Sequence, residues 1–471
     1  MTAQTAAGRF GGSTLTALIV ASAFFMEQLD GTVIVTALPR MATTFHVQSV
    51  DVSIGMTAYL VALAAFIPLS GWIADRLGAR TTFCTAIVFF TLTSVVCGLS
   101  TSLPAFVAAR IAQGIAGAMM VPVGRLVVLR GTAKSELLRA ISFLTWPGLI
   151  APVIGPPVGG FIVTYFAWPW IFFLNIPIGI LGLALALQFI PRIDSLERRP
   201  FDLIGFFLTA SSLAAVMFGL DRVSRGDEAL SSWLLVVTGT LLCLLAVRHM
   251  RRAATPLLSL AALAIPTFRA GTIGAGTWFR VAIQTAPFLL PLLFQIGLGK
   301  TAFASGMLML WYAAGNLAMK TLTTPTLQRF GFRNVATING TIVTLSLLAC
   351  GLIAASTPDI AIAIVLFLSG LCRSLQYTTV NTLAFVDIPQ PMMSSASTLS
   401  GTLTQLASAG GIALGALLLR AVSSLRATPG VLDATDFRIA LWLTAFVTLA
   451  ATLTLLRLPA NTGADVSGRS A

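Results

Sequence analysis

The sequence predicts an all-α polytopic membrane protein, with two pseudo-symmetric six-helix bundles, two inserted helices and fourteen transmembrane helices in total. Three observations lead to this class. Hydrophobic residues make up 56% of the 471 residues and charged residues only 10%, whereas a soluble domain has about a quarter charged residues. Apolar stretches near the ~20 residues needed to cross a bilayer recur along the chain. A loop motif of the first half also returns in the second half.

Charged or Pro/Gly-rich breaks separate fourteen apolar stretches, each of which is a candidate transmembrane helix. They lie near residues 14–37, 52–74, 81–99, 103–128, 138–164, 168–190, 202–220, 231–248, 268–294, 302–323, 335–355, 360–382, 396–419 and 437–458. The seventh and eighth stretches are the candidates for the inserted pair. We therefore predict an N-terminal six-helix bundle at 1–192, an inserted pair with linkers at 193–260, and a C-terminal six-helix bundle with a tail at 261–471.

The internal repeat supports this division. The loop after the second stretch reads DRLGAR, and the loop after the tenth reads QRFGFR. Matching positions are Arg76, Gly78 and Arg80 in the first loop and Arg329, Gly331 and Arg333 in the second. Two related halves separated by an inserted pair explain the spacing between the two copies.

The formal net charge of +13 indicates basic cytoplasmic loops rather than a nucleic-acid partner. Most Lys and Arg residues fall on one side if the N-terminus is cytoplasmic, so both termini are expected to be cytoplasmic. The five cysteines lie in apolar stretches without a C-x-x-C pair, and two histidines are too few for a histidine-based metal site. The first apolar stretch is too long for a cleaved signal peptide, so we expect it to be retained.

The first loop motif, GWIADRLGAR, combines a turn glycine with a cluster of charges. Gly78 permits a tight turn. The charged residues can pair with each other or with a neighbouring helix end, which would form a conformational latch. A solvated basic loop is the alternative. The latch hypothesis covers Gly71, Asp75, Arg76, Gly78 and Arg80, with Arg329, Gly331 and Arg333 in the second copy.

Small residues mark the predicted fourth and fifth helices. The fourth reads RIAQGIAGAMM, and its glycines allow close approach of a neighbouring helix. The fifth reads IGPPVGG, in which Gly155, Gly159 and Gly160 thin the helix and Pro156 disrupts its hydrogen bonding. We expect a bent helix at a tight, rocking interface, with a kinked packing helix as the alternative.

The first helix carries the two carboxylates that lie well inside a predicted span. Glu27 and Asp30 are three residues apart and share a helix face. Arg110, in the fourth helix, lies at the same depth as Asp30, ~10 Å below the outer surface. We predict that Asp30 and Arg110 pair, and that separating them lets Asp30 bind a proton. A static salt bridge at Asp30 and a water-facing Glu27 are the alternatives.

The second half contains two intramembrane arginines, Arg280 and Arg373, and no intramembrane carboxylate that could neutralise them. Gln284, Gln376 and Asn381 could supply neutral hydrogen bonds to a substrate. The resulting cavity would be net positive, which favours anionic substrates. Snorkelling of the arginines, or their capping of backbone carbonyls, is the alternative.

Other classes of membrane protein fit the sequence less well. It contains no G-x-S-x-G, H-E-x-x-H or Walker motif, so we expect neither an enzyme nor an ATP-driven pump. A channel would not explain the two related halves. A structural protein would not need intramembrane charges. A carrier driven by an ion gradient remains.

The quoted motifs together resemble the major facilitator superfamily, and within it the fourteen-helix drug:proton antiporters. LDGTVIVTALP resembles the first-helix signature of that branch, and WPWIFFLNIPIG resembles its entry to helix 6. The resemblance extends over essentially the whole chain. It implies two six-helix bundles around a central cavity, alternating access, and functional roles for Asp30 and Arg110.

We therefore predict a proton-coupled secondary transporter that exports small amphipathic compounds or drugs, with export of small organic anions such as citrate as the alternative. The expected coupling residues are Asp30, Glu27 and Arg110. Protons are the coupling ion, and no cofactor or metal is expected. The partners are the lipid bilayer and a small-molecule substrate, without nucleic acid, and a monomer is compatible with this activity. The expected location is the bacterial inner membrane.

Overall fold

The computed structural model describes residues 12–131, 137–191, 200–224, 230–389, 392–425 and 432–456. Within these ranges the chain is helical, and no strand occurs. The chain separates into two compact units, Met1–Ala210 and Ser211–Ala471. The predicted division into three parts, with boundaries at 192 and 260, stays a prediction.

The first unit is built from six long helices and the beginning of a seventh, which continues into the second unit. They are α1 (Gly12–Phe45), α2 (Ser49–Leu77), α3 (Ala79–Gly98), α4 (Leu103–Gly131), α5 (Leu137–Tyr165), α6 (Trp170–Phe189) and α7 (Leu203–Ser224). Helix α1 continues through Pro39, eight residues beyond its predicted end at residue 37, because the residues around Pro39 remain apolar and buried.

The second unit contains the remaining helices. They are α8 (Leu230–Met250), α9 (Pro266–Gly297), α10 (Ala302–Phe330), α11 (Phe332–Gly351), α12 (Asp359–Phe385), α13 (Met393–Ser424) and α14 (Ala434–Leu455). Helix α9 is irregular, since it breaks at Gly274 and ends in a π-helical turn, Leu293–Gly297. Two prolines, Pro287 and Pro291, precede that turn and remove backbone donors from the helical ladder.

The two units repeat one pattern of helix pairing. In the first unit α1 packs on α5 and α6, and α4 packs on α2 and α3. In the second unit α9 packs on α13 and α14, and α12 packs on α10 and α11. Each contact therefore recurs eight helices later. This confirms the two pseudo-symmetric six-helix bundles predicted from the repeated loop.

Helices α7 and α8 pack closely on each other through glycines. A methyl group added at Gly239 would lie 2.6 Å from the backbone nitrogen of Val216, and one at Gly219 would lie 2.7 Å from a methyl carbon of Val236. Large apolar side chains of α8, among them Trp233 and Leu244, are exposed. An exposed apolar surface of this kind suits contact with lipid.

The described residues include twelve helices that are long and apolar enough to cross a membrane. Two shorter apolar helices, Ile150–Tyr165 within α5 and Leu203–Gly219 within α7, coincide with the fifth and seventh predicted spans. The all-helical membrane architecture is thus confirmed, and the crossing of the bilayer by all fourteen helices stays a prediction.

Candidate functional site

The first unit holds a buried ion pair between α1 and α4. Arg110 Nη1 lies 2.6 Å from Asp30 Oδ2, and both side chains are 1% exposed. The two residues were predicted to pair from their equal depth in the membrane, and the structure confirms the contact. Since burial deprives both charges of water, each depends on the other for compensation.

Side chains from two further helices complete the shell around Asp30. Its Oδ1 accepts hydrogen bonds from Gln113 Nε2 and Asn175 Nδ2, both at 3.0 Å. The same two amides donate to Ser94 Oγ at 2.8 and 3.1 Å. Gln113 Oε1 in turn accepts from Arg110 Nη1 at 2.5 Å. Four helices, α1, α3, α4 and α6, therefore meet at one hydrogen-bonded carboxylate.

Aromatic rings enclose the guanidinium of Arg110. Its Cζ lies 4.3 Å from the ring centroid of Tyr59 and 5.8 Å from that of Phe172. The close approach of α4 depends on Gly114, because an added methyl group there would lie 2.4 Å from the backbone oxygen of Tyr59. The Tyr59 hydroxyl and Arg110 Nε are buried without a hydrogen-bond partner. The ion pair therefore occupies a buried, aromatic-lined site with unused polar atoms.

Glu27 lies one helical turn before Asp30 and differs from it in its partners. Its side chain is buried, with the residue 6% exposed. Its Oε2 has no hydrogen-bond partner. Asp30 thus has an ionic partner and two amide donors, whereas one oxygen of Glu27 is buried and unused.

The glycines of α5 face the same helix, α1. A methyl group added at Gly155 would clash with the Thr32 hydroxyl, and one added at Gly159 would lie 2.6 Å from the Val33 carbonyl oxygen. Helix α5 continues through Pro156, and Gly160 is buried. The two helices are therefore in near-backbone contact, as their small residues predict. The predicted rocking of this interface stays a prediction.

The repeated loops have the same geometry in both units. Gly78 (φ 86°) joins α2 to α3, and Gly331 (φ 76°) joins α10 to α11. Each is a single residue between two helices with positive φ, a conformation that favours glycine. Arg80 donates to the carbonyl oxygen of Leu187 near the end of α6, and Arg333 donates to that of Leu456 after α14 at 3.0 Å.

The other latch residues lie near these turns. The Arg76 guanidinium lies 5.2 Å from the ring of Trp72, Asp75 is half-buried and Gly71 is exposed. Arg329 lies 5.5 Å from the ring of Phe330. The contacts of Arg80 and Arg333 stay within their own units, where they cap the sixth helix of each bundle. A latch that opens and closes during transport stays a prediction.

In the second unit, Arg280 is 2% exposed and is bonded to neutral oxygens. Its Nη1 donates to the Gly271 carbonyl at 2.8 Å, and its Nη2 donates to Asn381 Oδ1 at 2.5 Å. Asn381 borders a cavity of about 450 Å³ that is also lined by Thr382 and Phe385. Arg280 therefore caps a backbone carbonyl, as the alternative prediction had it. Its other partner, Asn381, borders the cavity.

Arg373 is also bonded to neutral groups. It donates to Gln284 Oε1, and Gln284 Nε2 donates to Ser408 Oγ at 3.2 Å. Its guanidinium lies 5.6 Å from the ring of Tyr312. No carboxylate among the described residues lies within ion-pair distance of Arg280 or Arg373. Both arginines therefore lack an ion-pair partner in the described part of the chain, and the net-positive cavity predicted from the sequence stays a prediction.

Gln376 differs from its predicted place in a substrate cavity. It is fully buried between α11 and α12, where its amide donates to the Ala336 carbonyl and accepts from Asn339. These interhelical hydrogen bonds give it a structural position. Its side chain faces α11, whereas that of Arg373 contacts Gln284 of α9 and Tyr312 of α10.

Residues 20–412 match the Major Facilitator Superfamily. This chain belongs to the Major Facilitator Superfamily. The match covers most of the chain and confirms the resemblance drawn from the motifs. Superfamily membership makes it a transport protein of the membrane, and not an enzyme.

Similar proteins come from enterobacteria. The chain is 37% identical over 405 residues to the "Putative multidrug resistance protein MdtD" of Citrobacter koseri, a match that covers 85% of each chain. It is 38% identical over 407 residues to the protein of the same name from Klebsiella pneumoniae, again with 85% of each chain covered.

Solved structures share the fold at low sequence identity. The D-xylose-proton symporter superposes with a TM-score of 0.68 at 14% identity, covering 95% of this chain and 98% of that one. A POT family peptide transporter gives a TM-score of 0.67 at 14% identity, with 97% of each chain covered. The superfamily fold predicted from the sequence is therefore confirmed.

Sequence reasoning missed several members of the first-unit network. Ser94, Gln113 and Asn175 were not predicted, although Gln113 follows Arg110 by three residues and so shares its helix face. Tyr59 gave no signal, because a tyrosine in an apolar helix is common in any membrane protein. Lys320 lies inside the tenth predicted stretch and inside the observed span, and its charge was not singled out.

Proposed function

We propose that this superfamily member exports small amphipathic compounds from the cytoplasm in exchange for protons. The single observation that carries the proposal is the pairing of two unlike carboxyl groups on one helical face. Asp30 is fully bonded to Arg110, Gln113 and Asn175, whereas the neighbouring Glu27 is buried with an unused oxygen. Such a pair provides two neighbouring carboxyl groups that can take part in proton exchange, and one of them is held by a counter-charge.

The coupling step follows from the cost of burying unpaired charge. Separation of Asp30 from Arg110 leaves a carboxylate in a dry site, which then binds a proton to become neutral. Return of the ion pair expels that proton. Glu27, one turn away, acts as the neighbouring proton site. Each proton that enters down a membrane potential supplies ~2.3 kcal/mol per 100 mV for export.

Alternating access is the proposed cycle. The two units have the same helix pairing, an arrangement suited to rocking of one bundle against the other around a substrate. The near-backbone contact between α1 and α5 would transmit protonation at Asp30 to the neighbouring helix. The excess of basic residues on one set of loops supports an inner-membrane orientation with both termini in the cytoplasm.

The choice of amphipathic compounds rests on the relatives, which are named as multidrug resistance proteins. Export of small organic anions is the second candidate. It is favoured by Arg280 and Arg373, whose described partners are all neutral. The two candidates differ in the charge of the transported compound and are separable by experiment.

Proton flux in proteoliposomes with a trapped pH dye tests the proposal. A pH gradient is imposed, and a cationic dye or a tricarboxylate is then added to the wild type and to Asp30→Asn. We expect substrate-dependent collapse of the gradient in the wild type and not in the variant. Lys300→Gln, outside the first unit, is the matched control and should behave like the wild type.

Two results would count against this assignment. Collapse of the gradient by Asp30→Asn at the wild-type rate would make Asp30 structural and leave Glu27 as the coupling site. Absence of proton movement with either compound in the wild type would contradict proton-coupled export of both substrate classes.

A further inference from the structure

Two half-buried cations lie at the contact between α10 and α12 in the second unit. Lys320 and Arg373 both lie inside membrane-spanning segments, on helices that pack together. Lys320 reaches α12 at Thr378, and Arg373 reaches α10 at Tyr312, so both charges lie at the same helix interface. Like charges at this depth repel each other, and each has lost part of its hydration. The arrangement therefore costs free energy until an anion balances it.

The protein itself supplies neutral partners for these two charges. Lys320 Nζ donates to Thr378 Oγ1 at 3.1 Å, and Arg373 donates to Gln284 Oε1. Arg373 Nε is buried without an acceptor. Among the described residues, no carboxylate lies within ion-pair distance of either cation. These contacts orient the two side chains and leave their charge uncompensated.

Other cations of this unit are accounted for differently. Lys300 Nζ pairs with Asp359 Oδ1 at 2.6 Å. Arg280 is almost completely enclosed and caps a backbone carbonyl. Lys320 and Arg373 differ from Lys300 in lacking a counter-charge, and from Arg280 in being partly accessible. Both side chains are therefore open in part to the surroundings of the bundle.

We propose that Lys320 and Arg373 bind an acidic group of the transported compound, so that the substrates are organic acids or zwitterions rather than simple cations. This inference rests on the proposed transport function and specifies its substrate class. Carboxylate, sulfonate and phosphate groups share the required chemistry. A guanidinium holds such a group through directed hydrogen bonds, and an ammonium adds a mobile point charge. The Tyr312 ring beside Arg373 helps to fix the guanidinium plane.

A pair of dyes that differ by one negative charge tests this proposal. The full chain is placed in phosphatidylcholine nanodiscs and titrated with a rhodamine that carries a free benzoate, and with the methyl ester of the same dye. Fluorescence anisotropy gives the two dissociation constants without a proton gradient. The variants are Lys320→Gln and Arg373→Gln, with Lys300→Gln as the matched control.

The acid should bind the wild type about tenfold or more tightly than the ester, since hydrogen bonds to charged groups contribute about that factor. Each glutamine variant should lose about this factor for the acid and leave the ester unchanged. Lys300→Gln should match the wild type. Arg373→Lys keeps the charge and should retain part of the preference, which distinguishes loss of the site from misfolding.

Equal binding of acid and ester, no binding of the acid, or unchanged acid binding in both glutamine variants would overturn the proposal. Nanodiscs with phosphatidylglycerol separate a substrate from a lipid headgroup. We expect unchanged acid affinity there. Loss of acid binding in that lipid, relieved in the variants, would assign the site to the headgroup and overturn the substrate assignment. Failure of Asp30-dependent proton flux would concern the proposed function and leave this binding result intact.

Discussion

The two units share a scaffold and differ in how they treat buried charge. In the first unit, Arg110 pairs with Asp30 inside a hydrogen-bonded network. In the second, Arg280 and Arg373 are bonded only to neutral groups among their described partners. The turn glycines and the capping arginines nevertheless repeat in both. The repeat thus maintains helix packing, while the roles proposed for the charges differ, with proton coupling in the first unit and substrate acids in the second.

The largest effect should come from breaking the first-unit ion pair. Arg110→Gln leaves the Asp30 carboxylate without its counter-charge, which costs about 3–5 kcal/mol of stability. Thermal unfolding of the purified protein in detergent measures this loss. The double variant Asp30→Asn, Arg110→Gln should recover most of the stability and remain inactive in transport.

Arg280→Gln tests whether an arginine without an ion-pair partner contributes less to stability than Arg110. It removes a cation whose described partners are all neutral, so it should destabilise the protein less than Arg110→Gln does. Equal unfolding temperatures for Arg110→Gln and the wild type would show that the pair has no stabilising role.

Close helix packing should respond equally in both units. A methyl group at Gly159 would lie 2.6 Å from the Val33 carbonyl oxygen, and one at Gly411 would lie 2.5 Å from that of Val281. Each alanine substitution should cost about 1–3 kcal/mol, because the backbone must move. Gly71→Ala is the matched control, since nothing lies within 4 Å of the added methyl. If Gly159→Ala and Gly411→Ala unfolded at the same temperature as Gly71→Ala and the wild type, the predicted cost of the added methyl groups would be contradicted.

The turn glycines test the repeat itself. Gly78→Ala and Gly331→Ala both force an alanine into positive φ with extended ψ, at about 1–3 kcal/mol each. Similar decreases in unfolding temperature are expected. A large decrease at only one of the two positions would show that the turns are not equivalent. It would contradict the statement that the two units share a scaffold.

The smallest effect should come from the capping arginines. Arg80→Gln and Arg333→Gln each remove a hydrogen bond to a carbonyl at the end of a bundle's sixth helix, which contributes about 0.5–1.5 kcal/mol. If Arg80 also serves as a latch, its variant should alter the transport rate while Arg333→Gln does not. Initial rates of dye transport in vesicles, normalised to protein amount, give that comparison.

The sequence predicted the fold well, because long apolar stretches and a repeated loop leave few alternatives. It also predicted the contact between Asp30 and Arg110, because two opposite charges at one depth in the membrane compensate each other when they pair. Gln376 was assigned to the wrong surface, because a residue's position along a helix does not specify which neighbour it faces. Ser94 and Asn175 became visible only when four helices were placed together, since each is unremarkable in its own segment.

Proton-to-substrate stoichiometry in proteoliposomes separates the proposed roles of the two units when Asp30→Asn is compared with Arg373→Gln. Asp30→Asn should lose substrate-dependent proton movement. Arg373→Gln should keep the wild-type ratio and require a higher concentration of the acidic dye. An unchanged ratio in Asp30→Asn, or a lost ratio in Arg373→Gln at saturating dye, would contradict the division of labour between the two units.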